Sequence, residues 1–432
     1  MFVTLLVSCI VILVFVASIL FLPSVAIRKH NIKVYSLIPL IGAVILIMCD
    51  RVGFFYVVEK FSENTSVNPL KILVLFLSMT TFSLILEQTG FFSFISTKVL
   101  EKAGNNQFLI FISFYLVISL LTIFTSNDII ILTFTPFICH FCKSANISRR
   151  PYLFMEFVAA NTWSLLLIIG NPTNIYICGA FGIDFIEYVR VMFLPTLFAG
   201  ITSLGVMLAA FYKRLKKPME KCEEHGEITD KPVMIISLVH LCLCVVTLAI
   251  SQYIGIEMWL ISLVISVSEI LSVFICQTIR KKKYFVISKG LSGMPFEIIP
   301  FIVGMFIIVL ALETSGITEG IQRLLEPLPD IFTYGYLSFF AANVVNNIPM
   351  SVLFSKILAA GGGATLEGVY ATVIGSNIGA FLTPVGALAG IMWSNLLRKN
   401  GVKISFLRFL KYGAMIGIPS VSAAIFGLFI VM

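Results

Sequence analysis

Residues 122–137, TIFTSNDIIILTFTPF, contain three adjacent polar residues, Ser126, Asn127 and Asp128, between two apolar limbs. In a water-soluble protein this pattern indicates a surface loop. The rest of the chain argues against that interpretation, because 59% of its 432 residues are hydrophobic and only 12% are charged. The charged share is about half that of a soluble domain. Lipid must therefore solvate much of the surface.

Hydrophobic stretches close to the ~20 residues needed to cross a bilayer as a helix recur along the chain. About ten are predicted to cross: 2–22, 33–50, 70–87, 151–179, 188–212, 233–251, 256–279, 296–313, 367–397 and 411–431. The first lacks a preceding basic segment and a small-residue cleavage site, which favours a retained helix over a signal peptide. The pattern predicts an all-α polytopic membrane protein.

Two further hydrophobic regions, 108–142 and 331–360, are each interrupted near the middle by polar residues. If both are re-entrant helical hairpins, both termini lie outside and 24 of the 30 Lys and Arg residues are cytoplasmic. That bias is typical of membrane proteins, and a true crossing at either region would destroy it. The basic clusters therefore indicate a multi-pass protein of the cytoplasmic membrane, whose hairpins enter from opposite faces, rather than a nucleic-acid-binding protein.

The two halves of the chain share short matches. MTTFSLILEQTGFFSFI (79–95) matches MFIIVLALETSGITEGI (305–321), and an interrupted region follows in each half. AANTWSLLLIIGNPTN (159–174) then matches GSNIGAFLTPVGALA (375–389), which pairs Asn161 with Asn377 and Gly170 with Gly386. The loops give the halves opposite orientations, as in the inverted repeats of secondary transporters.

The comparison of the two halves predicts that the chain consists of three parts. Residues 1–212 form the first inverted repeat, with the hairpin 108–142 and a broken helix at 151–179. Residues 213–232 form a cytoplasmic connector. Residues 233–432 form the second repeat, with the hairpin 331–360 and a broken helix at 367–397.

The polar interruptions at 126–128, 170–174, 345–347 and 383–386 are expected to lie together inside the protein. Irregular backbone survives at mid-membrane depth only where protein or a wet cavity surrounds it, since each unpaired N–H or C=O costs several kcal/mol in hydrocarbon. Helix N-termini offer partial positive charge to an anion, and freed carbonyls offer oxygens to a cation. The arrangement predicts an ion-coupled carrier.

Asp128 is the residue that most directly suggests ion coupling, because a carboxylate near the midplane of a membrane is by default a functional group. It could bind Na⁺ directly, near Ser126 and Asn127, or take up and release a proton. The alternative is a hydrogen-bonded cap at the start of the second limb. In the second half, Asn346 and Asn347 provide neutral amides where the first half has the carboxylate.

The other charged residues within predicted spans are weaker indications of a role in ion coupling. Glu87 and Glu313 are interpreted as structural anchors at equivalent helix ends. The role of Glu156 stays open. Glu269 is expected to face protein or the cytoplasmic surface, and Lys356 is expected to extend its ammonium group to the outer surface.

Cys139 and Cys142 have the CxxC spacing that could bind a soft metal or arsenite, but polarizable packing is the favoured interpretation. The chain has no HExxH motif, no GxSxG elbow and no pair of catalytic aspartates within spans. It is therefore not expected to be an enzyme, and no cofactor is expected apart from a coupling ion, H⁺ or Na⁺.

SNDIIILTFTPF (126–137), VNNIPMSVLF (345–354) and IGSNIGAFLTPVGALAGIMW (374–393) resemble the arsenite permease and Na⁺/H⁺ antiporter group of the ion transporter superfamily. That group is related to the divalent-anion/sodium symporters. The resemblance covers nearly the whole chain. It implies a homodimer whose protomers move a transport part against a scaffold in elevator fashion.

The resemblance also implies which residues bind substrate and coupling ion. Those roles fall on Ser126, Asn127, Asp128, Asn161, Gly170, Asn171, Thr173, Asn346, Asn347, Ser376, Asn377, Thr383 and Gly386. The chain departs from the related symporters by having Asp128 where they have Thr in a Ser-Asn-Thr triplet, and this leaves proton or mixed coupling open.

The expected function is secondary active transport of a small inorganic or organic anion, coupled to H⁺ or Na⁺. The alternatives are a Na⁺/H⁺ antiporter and an arsenite or antimonite efflux permease. The expected partners are the bilayer, the anion and a second copy of the chain.

Overall fold

The computed structural model describes residues 1–21, 25–27, 30–65, 68–220, 226–281, 285–360 and 365–432. Within these ranges the chain is almost entirely α-helical, which confirms the predicted class. Its one pair of strands is short and antiparallel, β1 (Val25–Ile27) and β2 (His30–Ile32).

In the described ranges, the first half of the chain contains ten α-helices and the second half contains eleven. The first half contains α1 (Phe2–Phe21), α2 (Val34–Met48), α3 (Phe54–Ser62), α4 (Pro69–Gln88), α5 (Phe91–Ala103), α6 (Gln107–Phe124), α7 (Asn127–Ser144), α8 (Arg149–Trp163), α9 (Pro172–Phe181) and α10 (Phe185–Leu215). The second half contains α11 (Lys231–Ala249), α12 (Ser251–Ile254), α13 (Met258–Ile279), α14 (Phe285–Ser292), α15 (Ile298–Thr314), α16 (Ile317–Leu325), α17 (Asp330–Val345), α18 (Asn347–Ala360), α19 (Leu366–Ile378), α20 (Leu388–Lys399) and α21 (Phe406–Val431).

Within the described ranges, seven helices are long and apolar enough to cross a membrane: α1, α4, α6, α10, α11, α13 and α21. The pair α15 and α16 makes an eighth candidate, bent by 74°. The chain is therefore a multi-pass membrane protein, as predicted. Because α6 is the first limb of a predicted hairpin and still meets the length criterion, the count of ten crossings stays a prediction.

Several helices begin where the sequence supplies a cap followed by proline. The Asn68 side chain accepts a hydrogen bond from the Leu70 amide (2.9 Å) just before Pro69 opens α4. Asn171 and Pro172 play the same parts at the start of α9. A cap of this kind satisfies an amide that has no partner within the helix, and proline lacks the amide altogether.

Both predicted hairpins turn where the sequence places polar residues. The first limb, α6, ends at Phe124 and the second, α7, begins at Asn127. In the second hairpin, α17 ends at Val345, α18 begins at Asn347, and the intervening Asn346 has a φ of 75°. A positive φ is uncommon outside glycine, although asparagine tolerates it better than most residues.

Both predicted broken helices are broken. Helix α8 is separated from α9 by a 3₁₀ turn at Ile168–Gly170, and α19 is followed by a 3₁₀ turn at Gly379–Phe381 before α20 begins. The breaks fall at the Gly-Asn-Pro-Thr-Asn and Thr-Pro-Val-Gly stretches, as the sequence predicts.

Two helices that lie outside the predicted spans and hairpins follow glycine bends. Gly90, with a φ of 79°, separates α4 from α5, and Gly316, with a φ of 72°, separates α15 from α16. Glycine adopts this left-handed conformation at no steric cost and commonly ends helices in this way. The two bends lie at equivalent positions of the matched segments.

Equivalent helices of the two halves pack in equivalent ways. Helix α4 packs against α13, as α15 does against α2, and α7 packs against α20, as α18 does against α9. The long helices α10 and α21 pack along each other, and the close approach of Gly427 to Pro195 lets their backbones come near. The pattern agrees with two related halves, while the boundaries 1–212 and 233–432 and the opposite orientations stay predictions.

The connector predicted at 213–232 is shorter than expected, because α10 extends to Leu215 and α11 begins at Lys231. Its residues 221–225 lie outside the described residues.

Candidate functional site

The first hairpin tip is joined to the first broken helix through amides. Ser126 is the N-cap of α7, where its hydroxyl oxygen accepts from the Ile129 amide at 3.5 Å. The Asn127 amide nitrogen donates to the Asn161 side-chain oxygen (3.0 Å), and Asn161 donates to the Phe157 carbonyl (2.8 Å). All of these side chains are buried.

Asp128 is not the cap of α7, so the capping alternative is wrong; Ser126 takes that place. The carboxylate lies in the first turn of α7, where the positive end of the helix dipole stabilises an anion. It is 8% exposed, and no hydrogen bond reaches it within the described ranges. Its charge is within electrostatic range of Lys33 and Glu297, which form an ion pair between the starts of α2 and α15.

The second hairpin tip is joined to the break between α19 and α20. The Asn346 amide nitrogen donates to the Val385 carbonyl (2.8 Å), and the Asn347 backbone amide donates to the Gly386 carbonyl (3.0 Å). The Asn346 side-chain oxygen accepts from the Ile348 amide at 3.4 Å. Asn346 thus links the start of α18 to the broken helix.

The helix starts change one residue pairing of the two tips. The sequence comparison set Asn127-Asp128 against Asn346-Asn347. Since α7 begins at Asn127 and α18 begins at Asn347, these two asparagines are equivalent, and Asp128 corresponds to Ile348. The carboxylate of the first tip therefore has an apolar counterpart in the second.

The side-chain oxygens of the two equivalent asparagines are alike in lacking a hydrogen bond. Asn127 Oδ1 and Asn347 Oδ1 are both buried and have no hydrogen-bond partner. An unsatisfied buried acceptor costs about 1–3 kcal/mol. Each tip therefore presents one oxygen that a bound cation or donor would satisfy.

A third network joins the two broken helices to each other. The Asn377 side-chain oxygen accepts from the Asn171 amide nitrogen (2.8 Å) and the Ser164 hydroxyl (3.1 Å). The Asn377 amide nitrogen donates to the Asn174 side-chain oxygen (2.7 Å) and to the Val373 carbonyl (2.9 Å). The network therefore connects residues more than 200 positions apart at the two breaks.

Thr173 and Ser376 complete this network. The Ser376 hydroxyl lies 3.2 Å from the Thr173 hydroxyl, and both side chains are fully buried. The predicted pairing of Asn161 with Asn377 has a structural parallel, because each donates to the carbonyl four residues earlier, at 2.8 and 2.9 Å.

Gly170 and Gly386 lie where the broken helices approach other groups closely. A Cβ atom at Gly170 would lie 2.9 Å from the Cα of Ser164. At Gly386 it would lie 2.7 Å from the side-chain oxygen of Asn343. At Gly170 the clash is with backbone, so the first break needs glycine, whereas at Gly386 a side chain would require the Asn343 amide to move.

Sequence reasoning missed two residues of these networks, Ser164 and Asn343, and it placed Asn174 in a polar interruption without assigning it a binding role. Asn343 donates to the Gly379 carbonyl (2.9 Å) and accepts from the amide and the hydroxyl of Thr383, each at 2.8 Å. It therefore holds the second break against α17. The only signal in the sequence is an amide within an apolar limb, three residues before the tip.

The structure changes the interpretation of two charged residues outside the tips. Lys356 on α18 forms an ion pair with Glu313 at the end of α15 (3.0 Å), so it does not simply extend to the surface. Glu156 is fully buried and accepts from the Thr135 hydroxyl at 2.8 Å, while its second oxygen has no hydrogen-bond partner. Glu156 on α8 thus binds α7 through Thr135.

The cysteine pair shows no metal site. Cys139 and Cys142 are buried in α7, and the described part of the chain contains no group of three His, Cys, Asp or Glu residues suited to a metal. The packing interpretation of this pair stays a prediction.

A cavity of about 380 Å³ adjoins the second break. It is lined by Pro384 of the break, by Trp393 and Asn395 of α20, and by the basic residues Arg398 and Lys403. Its lining joins the broken helix to the basic loop between α20 and α21.

Comparisons with known proteins place this chain among membrane transporters. A family model described as "Citrate transporter" matches residues 25–368. An "Arsenical pump membrane protein" from Yersinia enterocolitica is 28% identical over 369 residues, which cover 80% of this chain and 82% of that protein. The protein of the same description from Escherichia coli (strain K12) is 27% identical over 370 residues, again with 80% and 82% coverage.

One solved structure is similar along almost the full length. The YdaH transporter of Alcanivorax borkumensis, described as having an unusual topology, covers 99% of this chain and 97% of its own, with a TM-score of 0.56 and 12% identity. At this identity the likeness concerns the fold alone. The family and the proteins named here are described as transporters or pump membrane proteins and not as enzymes.

Proposed function

The chain belongs to the citrate transporter family, and on that premise we propose that it is an ion-coupled secondary active transporter of a small inorganic or organic anion. The observation that carries the proposal is the buried amide network at Asn377, which joins two broken helices beside two hairpin tips. Irregular backbone of this kind inside a membrane protein is suited to holding ions.

The anion is proposed to bind at the broken helices. Helix α20 begins at the second break with Ala387 as its N-cap and no capping side chain, so the amides of its first residues, Leu388 and Ala389, would bind the anion. Arg398 and Lys403 in the adjoining cavity would attract the anion to this site.

The coupling ion is proposed to bind at the first tip. Asp128 offers a carboxylate without hydrogen bonds, and the unpaired oxygen of Asn127 lies next to it in the chain. A carboxylate and an amide oxygen suit a Na⁺ ion, and the carboxylate alone suits a proton. The apolar Ile348 at the corresponding position of the second tip supports a single charged coupling site.

We further propose an elevator motion in a homodimer of the cytoplasmic membrane. The two hairpins, the broken helices and α10 and α21 pack together and would form the moving part. The other helices, α1–α5 and α11–α16, would form the static part. The ion pair between Lys356 and Glu313 crosses from one part to the other.

The test is uptake or efflux of labelled anions by reconstituted protein, with Na⁺ and pH gradients imposed separately. Asp128→Asn is expected to abolish gradient-driven transport while the protein stays folded. The matched control is Asp50→Asn, because Asp50 is exposed and has a positive φ, which asparagine also tolerates. Gradient-driven flux that survives in Asp128→Asn would contradict the coupling site.

Arsenite or antimonite efflux is the second candidate, because the relatives described as arsenical pump membrane proteins match 80% of the chain. Expression in an arsenite-sensitive host would distinguish the two. Growth on arsenite that depends on Asn377 supports efflux of arsenicals, and unchanged sensitivity together with gradient-driven anion flux supports the broader proposal.

A further inference from the structure

A second group of buried polar side chains lies in the bundle of α4, α11 and α13, which pack against one another. Ser83 on α4, Ser237 on α11 and Glu269 on α13 are all fully buried. Both hydroxyl oxygens and both Glu269 carboxylate oxygens lack a hydrogen-bond partner. A carboxylate left in this state inside a membrane protein is costly and indicates a function.

Two layers of apolar contacts show where these three side chains lie along the axis of the bundle. Ile85, Val233 and Val273 belong to one cluster of buried residues, which forms an apolar layer across the three helices. A second apolar contact lies farther along, where the Cys244 sulfur is 3.7 Å from the Met79 sulfur.

The polar side chains lie between these two layers. Ser83 stands on α4 between Met79 and Ile85. Helices α11 and α13 run antiparallel, because a short connection joins them. Ser237, four residues after Val233 on α11, and Glu269, four residues before Val273 on α13, are therefore both one helical turn from the first layer and on the same side of it. The Ser237 hydroxyl faces the Glu269 carboxylate without completing a hydrogen bond of normal geometry.

We propose that Glu269, with Ser237 and Ser83, forms a proton-binding site within this bundle, separate from the hairpin tips. A protonated Glu269 donates its O–H to one serine hydroxyl and accepts from the other with its second oxygen. Protonation therefore removes the buried charge and satisfies the polar atoms of the layer together.

The donor set favours a proton over a metal ion. Helices α4, α11 and α13 are continuous at this level, so their carbonyls are committed to bonds within each helix. The backbone oxygens that coordinate Na⁺ at unwound helices are absent from this site. A proton needs only the side chains that are present.

Apart from His240, the other titratable groups on the packed helices are at the ends of the bundle, on its outer surface or in the neighbouring layer. They are Lys71 and Glu87 on α4, Lys231, Cys242 and Cys244 on α11, Cys276 on α13 and Lys289 on α14, with the Asp230–Arg280 ion pair at the Ile279 end of α13. Cys244 is within electrostatic range of Glu269. His240 is the exception, because one of its ring nitrogens lies 3.3 Å from the hydroxyl of Ser268, the residue before Glu269, and the other lies 2.8 Å from the Ile236 carbonyl. The ring is half-buried and contacts these two groups, while the Glu269 carboxylate oxygens have no hydrogen-bond partner.

The test uses infrared spectroscopy of the full chain in liposomes, so it does not depend on whether the protein transports anions. The wild-type protein at neutral pH is expected to show the carbonyl stretch of a protonated carboxylic acid, and Glu269→Gln is expected to lack that component. The matched control Glu326→Gln, at an exposed position, should leave it unchanged. Ser237→Ala should retain the band at a shifted frequency.

A second measurement guards against misfolding of the Gln variant. On a shift to alkaline pH, the wild-type band should convert to carboxylate absorption, and thermal stability should fall more in the wild type than in Glu269→Gln. A spectrum identical in wild type and Glu269→Gln would overturn the proposal, as would a band in the wild type that is insensitive to Ser237→Ala.

Discussion

Replacing Asn377 with alanine should disconnect the two broken helices. The substitution removes an acceptor from the Asn171 amide nitrogen (2.8 Å) and a donor from the Asn174 side-chain oxygen (2.7 Å). Ser164 keeps its hydrogen bond to the Asn161 carbonyl (3.0 Å). Two buried groups lose a partner, at about 1–3 kcal/mol each, so destabilisation of about 2–6 kcal/mol is expected.

A double-mutant cycle with Asn171→Ala isolates the contact between the halves. Asn171→Ala alone should cost about 1–3 kcal/mol, since it removes that bond and the cap on the Thr173 amide. Because the two residues are hydrogen-bonded, the double mutant should cost about 1–2 kcal/mol less than the sum. The assay is equilibrium unfolding in detergent micelles, followed by tryptophan fluorescence.

A matched cycle provides the control. Asn343 makes no hydrogen bond to Asn377, so Asn377→Ala and Asn343→Ala should add within about 0.5 kcal/mol. Additive effects of Asn377→Ala and Asn171→Ala would refute the reasoning, because they would mean that the two breaks are not coupled through these amides.

Three further substitutions probe the same architecture. Asn343→Ala should destabilise the protein by about 2–5 kcal/mol in the same assay, because Thr383 loses the acceptor for its amide; an effect below about 1 kcal/mol would contradict its role at the second break. Gly170→Ala should cost about 1–3 kcal/mol through overpacking, and unchanged stability would show that the close approach can relax. Lys356→Gln and Glu313→Gln should show a coupling of about 0.5–1 kcal/mol that shrinks at high salt, because the pair is partly exposed; coupling that is independent of salt would contradict an exposed pair.

The sequence predicted the main features of the fold because they depend on local composition. Long apolar stretches became helices, and the polar interruptions at Ser126 and Asn346 became hairpin tips. The Gly-Asn-Pro stretch after Ile169 became a helix break, because proline and a capping asparagine begin a new helix. These signals depend only on residues a few positions apart.

The helices α5 and α16 were not predicted, because the sequence was searched for long apolar stretches. Both follow a glycine bend, and both are amphipathic rather than uniformly apolar. A search for membrane-crossing length therefore overlooks them. The register of the two tips was also wrong by one residue, because asparagine repeats at Asn346 and Asn347 and composition alone cannot tell which one begins the helix.

The candidate site was predicted less completely because its contacts join distant parts of the chain. Asn377 meets Asn171 across 206 positions and Asn174 across 203. Nothing in the neighbouring residues distinguishes Ser164 or Asn343 from a polar residue on a helix surface, and the interruption at 170–174 does not show which residue Asn174 contacts. Their partners become apparent only when the two breaks are in contact.

The most direct test of two re-entrant hairpins on opposite faces is side-specific labelling of single cysteines in a cysteine-free background with a membrane-impermeant maleimide. Asn105→Cys and Asn146→Cys flank the first hairpin, and Leu328→Cys and Thr365→Cys flank the second, all at exposed positions. The first pair is expected to react only from the cytoplasmic side and the second pair only from the outside. Reaction of either pair from opposite sides, or of all four from the same side, would contradict the inverted arrangement on which the proposed transport mechanism depends.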